Sequence, residues 1–184
     1  MYLDDFIKRN PNIPIDKLSK YVDKYSKQFM RGMSIPSTAW ARSWTPTNTP
    51  ELMKYRGITF NKKQGNNITS ILDSLKKTAD SKFHPVGCDT VKSIIDHELG
   101  HQLDNLPGIR KLQHIKDLRN NTKLNELTEK LSKYSWDNGN GDRYAEMIAE
   151  GWAEYVNNPN PREYAKIIGE TIESEYKKLF GGGK

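Results

Sequence analysis

The residues best suited to chemistry are two histidines and a glutamate in the segment 97–101, which reads H-E-L-G-H. Residues four apart lie on the same face of an α-helix, so the imidazoles of His97 and His101 can reach one metal ion. Glu98 lies on the same rim of the helix, where its carboxylate can take a proton from a metal-bound water. Zinc lowers the pKa of such a water to about 7. The spacing therefore predicts metal-assisted hydrolysis.

The surrounding sequence favours a helix that packs against the rest of the protein. Asp89 and Thr90 are good N-cap residues, and the apolar residues after them are spaced for one buried stripe. That stripe contains Val91, Ile94, Ile95, Leu99 and Leu103. Inside a helix Gly100 costs about 1 kcal/mol relative to alanine, which indicates close packing or a nearby metal. Two of the four histidines of the chain lie in this motif, which a chance pair of solvated histidines does not explain.

A catalytic zinc ion usually takes three protein ligands, so one more must come from elsewhere in the chain. The metzincin pattern would need Gly at 104 and His at 107, and the chain has Asp104 and Pro107 there. The segment 144–155, Y-A-E-M-I-A-E-G-W-A-E-Y, instead offers a glutamate every four residues, on one face of a predicted helix. Three like charges on one stripe repel each other, and a metal ion facing them would offset that repulsion.

These motifs together carry a resemblance to a known family. H-E-L-G-H-Q-L-D, L-S-K-Y-S and A-E-M-I-A-E-G-W-A-E-Y resemble the gluzincin-like metallopeptidase domains related to anthrax lethal factor, over residues 83–173. Among these domains, the chain looks closest to the versions in bacteriophage minor head (head morphogenesis) proteins. The resemblance implies a mainly helical α+β fold, which is a zincin-like metallopeptidase domain with a small sheet.

The resemblance also implies a role for each charged residue of the two motifs. His97, His101 and Glu146 would hold Zn²⁺, and Glu98 would be the general base. Glu150 would orient a ligand histidine. Because the spacing differs from the family pattern, Glu150 also stays open as an alternative to Glu146 for the third ligand.

Two tyrosines, an aspartate and a loop histidine surround this predicted site. Tyr134 in L-S-K-Y-S would stabilise the developing oxyanion, and Tyr144 is the alternative because the insertion D-N-G-N-G-D separates Tyr134 from the glutamates. Asp104 matches an aspartate of the family and is interpreted as a packing or supporting residue, not a ligand. His84 is interpreted as an ordinary loop histidine, with a supporting role in the site as the alternative.

Composition argues against several other classes of protein. The net charge of the 184 residues is +6, but no basic motif with interleaved aromatics is present, so nucleic acid is not expected as a primary partner. The single Cys88 excludes an intrachain disulfide framework. No apolar run approaches the ~20 residues of a membrane span, and the first residues lack signal-peptide features. The expected location is therefore the host cytoplasm or the virion, with no membrane partner.

Two functions of different classes are consistent with these features. The first is a zinc metallopeptidase, encoded by a phage or mobile element, that hydrolyses a protein or peptide substrate. Glu98 favours it, because a purely structural zinc needs no general base. The second is a structural phage head protein that contacts capsid or portal proteins and keeps a vestigial or architectural metal site. A third, an exported toxin-like protease, is disfavoured because the chain lacks a signal peptide.

The chain divides into three predicted parts. Residues 1–50 combine N-terminal helices with a Pro/Trp-rich arm, residues 51–180 form the zincin-like metallopeptidase domain, and residues 181–184 are a disordered tail. The arm is expected to pack its tryptophans on the core rather than to dock another protein. Neither a helix nor a central strand is expected in it, because prolines recur there.

Within the domain, residue periodicity predicts one strand and several helices. They are the strand 55–61, a helix at 68–79, the H-E-L-G-H helix, one or two helices in 108–133 with a break at Asn120–Asn121, the glutamate-bearing helix, and a last helix from Pro161. The predicted inward residues on three of these helices are Ile68, Ile71, Leu72, Leu75 and Ala79, then Leu112, Ile115, Leu118, Leu124, Leu127 and Leu131, then Tyr164, Ile167, Ile168, Ile172, Tyr176 and Leu179. Zincin-type folds place a sheet edge beside the metal-binding helix, and 55–61 is the candidate for that edge.

Overall fold

A computed structural model describes residues 38–44, 57–61, 68–105, 107–137 and 142–180 of the chain. Contacts group residues 39–184 into one unit, apart from residues 1–38. The predicted N-terminal helices and the C-terminal tail lie outside the described residues. The predicted domain boundary after residue 50 stays a prediction.

The described residues form six α-helices and one small antiparallel sheet. In chain order the elements are β1 (Ala41–Trp44), β2 (Gly57–Phe60), α1 (Ile68–Asp80), α2 (Val91–Asn105), α3 (Gln113–Asn120), α4 (Leu124–Lys130), α5 (Ala145–Asn157) and α6 (Glu163–Phe180), with 3₁₀ turns at Ile109–Lys111 and Tyr134–Trp136. This confirms the predicted α+β, mainly helical class. Every helix in the described ranges is too short or too polar to cross a membrane.

The sheet joins the arm to the rest of the unit. β1 and β2 run antiparallel, with Ala41 opposite Phe60 and Trp44 opposite Gly57. The alternating pattern predicted β2, but β1 was not predicted, since its segment is rich in proline. In the described two-stranded sheet each strand has one edge without a neighbouring strand. Such edge strands tolerate proline in or near them. Trp40, just before β1, packs against the small core that the sheet shares with α1 and α2, as expected of an arm that wraps the core.

Helix boundaries follow the local signals closely. The N–H of Ser93 donates to Thr90 Oγ1 (3.2 Å), so Thr90 caps α2 as its residue type predicts. The predicted break at Asn120–Asn121 separates α3 from α4. The last helix begins at Glu163 rather than at Pro161.

The main core lies between α5, α6 and the segment that precedes α5. Its buried residues are Ile109, Ile115, Leu127, Leu131, Met147, Ile148, Tyr164, Ala165, Ile168 and Ile172. Five residues predicted to be buried are exposed instead, namely Ile68, Leu72, Ile95, Leu124 and Leu179. The apolar stripes on these helices are wider than the faces that the described neighbours cover, so periodicity alone overestimates the core.

Candidate metal centre

Side chains from α2 and α5 converge where the two helices pack along each other. His97 and His101 lie on one face of α2, and Glu146 lies in the first turn of α5. The Nε2 atoms of His97 and His101 are 3.3 and 3.5 Å from Glu146 Oε2. All three atoms lie within 4.8 Å of one another. The structure therefore brings together the three residues that the sequence predicts as ligands, and this cluster can hold a metal ion.

The separations fit a small tetrahedral ion. Zinc binds imidazole nitrogen and carboxylate oxygen at about 2.0–2.2 Å, which makes the edges of a tetrahedron about 3.3–3.6 Å. Glu146 Oε2 is also buried, and in the described part of the chain it has no hydrogen-bond partner. A buried acceptor without a partner costs about 1–3 kcal/mol, and more when it is charged. A cation between Glu146 and the two histidines would remove that cost.

The close approach of α2 and α5 depends on Gly100. A Cβ atom at this position would lie 2.8 Å from the Cα of Ala149 and 3.2 Å from its carbonyl oxygen. Any side chain larger than hydrogen would push α5 away from α2 and move Glu146 from the histidines. The packing explanation for Gly100 is therefore confirmed.

Glu150 lies one turn further along α5 and faces the other nitrogen of His97. His97 Nδ1 lies 2.7 Å from Glu150 Oε1. Since an ionised carboxylate only accepts hydrogen bonds, this Nδ1 carries the proton and donates it to Glu150. In the neutral form that binds a metal, the lone pair of His97 is therefore on Nε2, on the side of Glu146. Of the two glutamates left open by the sequence, Glu146 faces both Nε2 atoms, and Glu150 orients His97.

The electrostatics of the cluster favour a cation. Burial alone would raise the pKa of Glu150, but His84 and His97 outweigh it and lower that pKa to about 2. For Glu146, burial is likewise outweighed by His101 and His97, which hold its pKa well below the usual range. Burial opposes protonation of His97, yet the negative charges of the facing carboxylates of Glu146 and Glu150 raise its pKa well above the ordinary value. In the metal-free chain, two carboxylates thus remain charged around His97.

Glu98 is the candidate general base, and it stands apart from these pairs. Its side chain is largely buried, with 7% of the residue exposed. Glu98 forms none of the hydrogen bonds or ion pairs found within the described ranges, although its neighbour His97 forms several. Glu98 is thus free to accept a proton beside the metal cluster.

The two candidate tyrosines differ in position. The ring centroid of Tyr134 lies 6.0 Å from that of His97. Burial, together with the negative charges of Glu146 and Glu150, raises the pKa of Tyr134, so its hydroxyl stays protonated and can donate. The Tyr144 hydroxyl instead donates to Asn120 Oδ1 at an exposed position (3.3 Å). The geometry favours Tyr134 over its alternative.

His84 and Ser132 both contact Glu150, which the sequence alone does not predict. Interpreting His84 as an ordinary loop histidine is wrong, because its Nδ1 lies 3.3 Å from both carboxylate oxygens of Glu150. The hydroxyl of Ser132 donates to Glu150 Oε2 (2.8 Å). The signal for Ser132 in the sequence is its place in L-S-K-Y-S, the motif that carries Tyr134.

Asp104 supports the site without joining it. It is fully buried at the end of α2 and forms an ion pair with Arg110. Arg110 also pairs with Asp142, whose Oδ1 accepts a hydrogen bond from the N–H of Tyr144 just before α5 (2.9 Å). Arg110 thereby ties the end of α2 to the start of α5, where Glu146 lies. The interpretation of Asp104 as a packing residue agrees with this position.

No protein-family model, curated protein or solved structure matches this chain. The function must therefore be inferred from the motifs of the chain and from the geometry of its described side chains.

Proposed function

We propose that this protein is a zinc-dependent metallopeptidase with a zincin-like domain, in which His97, His101 and Glu146 hold the metal. The observation that carries the proposal is the convergence of two imidazole Nε2 atoms on a buried carboxylate oxygen, at 3.3 and 3.5 Å. Two nitrogens and one oxygen are typical ligands of zinc, whereas calcium and magnesium prefer oxygen alone.

The number of ligands supports a catalytic rather than an architectural site. Structural zinc sites usually have four protein ligands, and catalytic sites have three and an open position. Within the described ranges, the cluster has three members, His97, His101 and Glu146. Glu98 lies next to it in sequence and would have no role in a purely structural site.

Each residue of the proposed site has a distinct task. When bound, zinc supplies Lewis acidity, which polarises a carbonyl oxygen and acidifies water. A carboxylate oxygen of Glu98 takes the proton of the attacking water and can then deliver it to the amine nitrogen that leaves. The Tyr134 hydroxyl donates a hydrogen bond to the oxygen on which negative charge develops. Glu150 keeps the proton on Nδ1 of His97.

The small sheet is the proposed binding site for the peptide substrate. Both of its strands pack against α2, the helix with the two histidines. A peptide substrate could add to an open edge of this sheet through main-chain hydrogen bonds. The phage or mobile-element origin, and a role beside capsid or portal proteins, stay predictions that rest on the sequence resemblance.

The first test is the metal content of the purified wild-type chain and of Glu146→Ala and Glu150→Ala. We expect about one zinc per wild-type chain, its loss in Glu146→Ala, and weaker but detectable binding in Glu150→Ala, because that residue only orients His97. A wild-type protein that binds no zinc after incubation with the ion would refute the proposal.

The second test separates catalysis from metal binding. Glu98→Gln should keep its zinc and lower hydrolysis of a mixed quenched-fluorescence peptide library by about 10²–10⁴-fold, the usual contribution of a general base. The matched control is Glu163→Gln, at the start of α6 and outside the metal cluster. Equal activity of the wild type and Glu98→Gln would exclude Glu98 as the base.

A further inference from the structure

We infer that Ser132 and His84 are positioning residues, which hold the Glu150 carboxylate in the one orientation that keeps the Nδ1 proton of His97 in place. The inference rests on the proposed metal site and extends it to a layer of residues beyond the ligands. Neither Ser132 nor His84 forms a hydrogen bond with a proposed ligand, so each would act on the metal only through Glu150.

Ser132 is the stronger of the two. It is fully buried, and its Oγ donates to Glu150 Oε2 at 2.8 Å. The same Oγ accepts a hydrogen bond from the backbone N–H of Ser135 (3.0 Å). Because that N–H occupies an acceptor position of Ser132, the single hydroxyl proton is directed at Glu150. With Ser132 on Oε2 and His97 on Oε1, the carboxylate is held at both ends.

His84 holds the carboxylate from a third side. Its Nδ1 is 3.3 Å from Oε1 and 3.3 Å from Oε2 of Glu150. The His84 ring is wedged against Phe83 and Tyr134, with ring centroids 5.0 and 5.2 Å away in edge-on contacts. These contacts limit rotation of the imidazole, so its Nδ1 stays directed at the carboxylate.

The backbone brings these residues together. The N–H of Lys133 donates to the carbonyl of Lys82 (2.8 Å), and the N–H of Tyr134 donates to the carbonyl of Phe83 (2.9 Å). Lys82 adopts a left-handed conformation with a φ of 58°, which costs energy for a side chain other than glycine. This clip of residues 82–84 and 132–134 places His84 and Ser132 within hydrogen-bond distance of the same carboxylate.

A consequence for metal binding follows from this arrangement. Glu150 is buried, so once a donor is lost its carboxylate cannot turn to water and must move within the cluster. The bond to His97 Nδ1 would lengthen, and His97 would lose the orientation that directs Nε2 toward Glu146. Changes to residues that support a ligand typically lower metal affinity about 10- to 100-fold.

The test is the zinc affinity of purified variants, measured by competition with a chromophoric chelator. We expect Ser132→Ala to bind zinc about 10- to 100-fold more weakly than the wild type, and His84→Phe, which keeps the ring contacts, about tenfold more weakly. The matched control is Ser135→Ala. Its hydroxyl is also buried but bonds to the carbonyl of Ser132 (2.5 Å) rather than to Glu150, so its zinc affinity should equal that of the wild type.

A double-mutant cycle distinguishes positioning from general loss of structure. In a Glu150→Gln background, Ser132→Ala should cause little further loss of zinc affinity, because both changes break the same link. Additive losses, or wild-type affinity in Ser132→Ala, would overturn the inference. A change in the visible spectrum of the cobalt-substituted Ser132→Ala chain, absent in Ser135→Ala, would support altered ligand geometry.

The outcomes also separate this inference from the proposed function. A wild-type chain that binds zinc but cleaves no peptide would refute the peptidase and leave the affinity test intact. A chain that binds no zinc would overturn both.

Discussion

Glu146 and Glu154 lie on the same face of α5, two turns apart, yet their surroundings are opposite. Glu154 is fully buried, and Arg162 satisfies both of its oxygens, with Nη2 2.7 Å from Oε2 and Nε 2.9 Å from Oε1. Glu146 is also buried, but its Oε2 has no hydrogen-bond partner in the described part of the chain. It faces two histidine nitrogens instead.

The difference shows how one repeated residue type serves two purposes. At Glu154 the counter-charge belongs to the protein itself, and Arg162 further donates to the carbonyls of Glu129 and Leu131. This end of α5 is therefore fastened to α4 and the chain beyond it. At Glu146 the counter-charge in the metal-free chain is the protonated His97, and a metal ion can replace that proton. Among the described residues, the candidate metal cluster lies at this end of the stripe.

The largest loss of stability is expected when Arg162, the counter-charge of Glu154, is removed. Arg162→Ala leaves Glu154 buried without its partner, which should lower the free energy of unfolding by about 3–5 kcal/mol. Zinc affinity should stay within a few-fold of wild type, because Arg162 is not part of the metal cluster. Urea unfolding and chelator competition check the two statements. A destabilisation below about 1 kcal/mol would contradict the structural role given to this pair.

The second prediction concerns Glu146, at the other end of the glutamate stripe on α5. Its replacement should affect zinc affinity more than the stability of the fold. Glu146→Gln removes a proposed ligand. Zinc affinity should therefore fall by more than about 100-fold, which is the largest loss typical of a residue that only supports a ligand. The metal-free chain should lose less stability than in Arg162→Ala, because Glu146 meets its histidine partners at 3.3 and 3.5 Å and Arg162 bonds Glu154 at 2.7 Å. Zinc at 100 times the wild-type dissociation constant should stabilise the wild type by about 2.7 kcal/mol and this variant by less than about 0.4 kcal/mol. Thermal unfolding with and without zinc is the measurement.

A smaller loss of stability is expected at Gly100, whose contact with Ala149 sets the distance between α2 and α5. Gly100→Ala places a methyl group 2.8 Å from the Cα of Ala149, and overpacking of this kind costs about 1–3 kcal/mol. It should also weaken zinc binding by separating the ligands. Gly151→Ala is the matched control, because its Cβ would meet the Ile168 side chain (2.5 Å) on α6. If both variants lose zinc equally, the contact at Gly100 has no special role.

The smallest effect concerns the contribution of Glu150 to stability, which is full at neutral pH and is lost in acid. Its pKa is lowered from 4.5 to about 2 in the folded chain. A group with a lowered pKa stabilises the fold above its unfolded pKa and loses that contribution as the pH falls toward the folded value. The stability difference between metal-free wild type and Glu150→Gln should therefore shrink between about pH 4.5 and 2. Chemical unfolding at several pH values would show a constant difference if Glu150 were not ionised.

Local patterns were enough to predict the helical class, most helix positions, and the pairing of His97 with His101, because helix periodicity acts over a few residues. The same periodicity proposed three glutamates as equals. Which of them lies in the candidate metal cluster depends on the close contact of Gly100 with Ala149 and on Arg162, which follows α5 in the chain and pairs with Glu154. Strand β1 and the roles of Ser132 and His84 likewise depend on partners far away in sequence. Spacing along the chain determined which side chains share a face, and only the tertiary structure decided which opposite charge each of them meets.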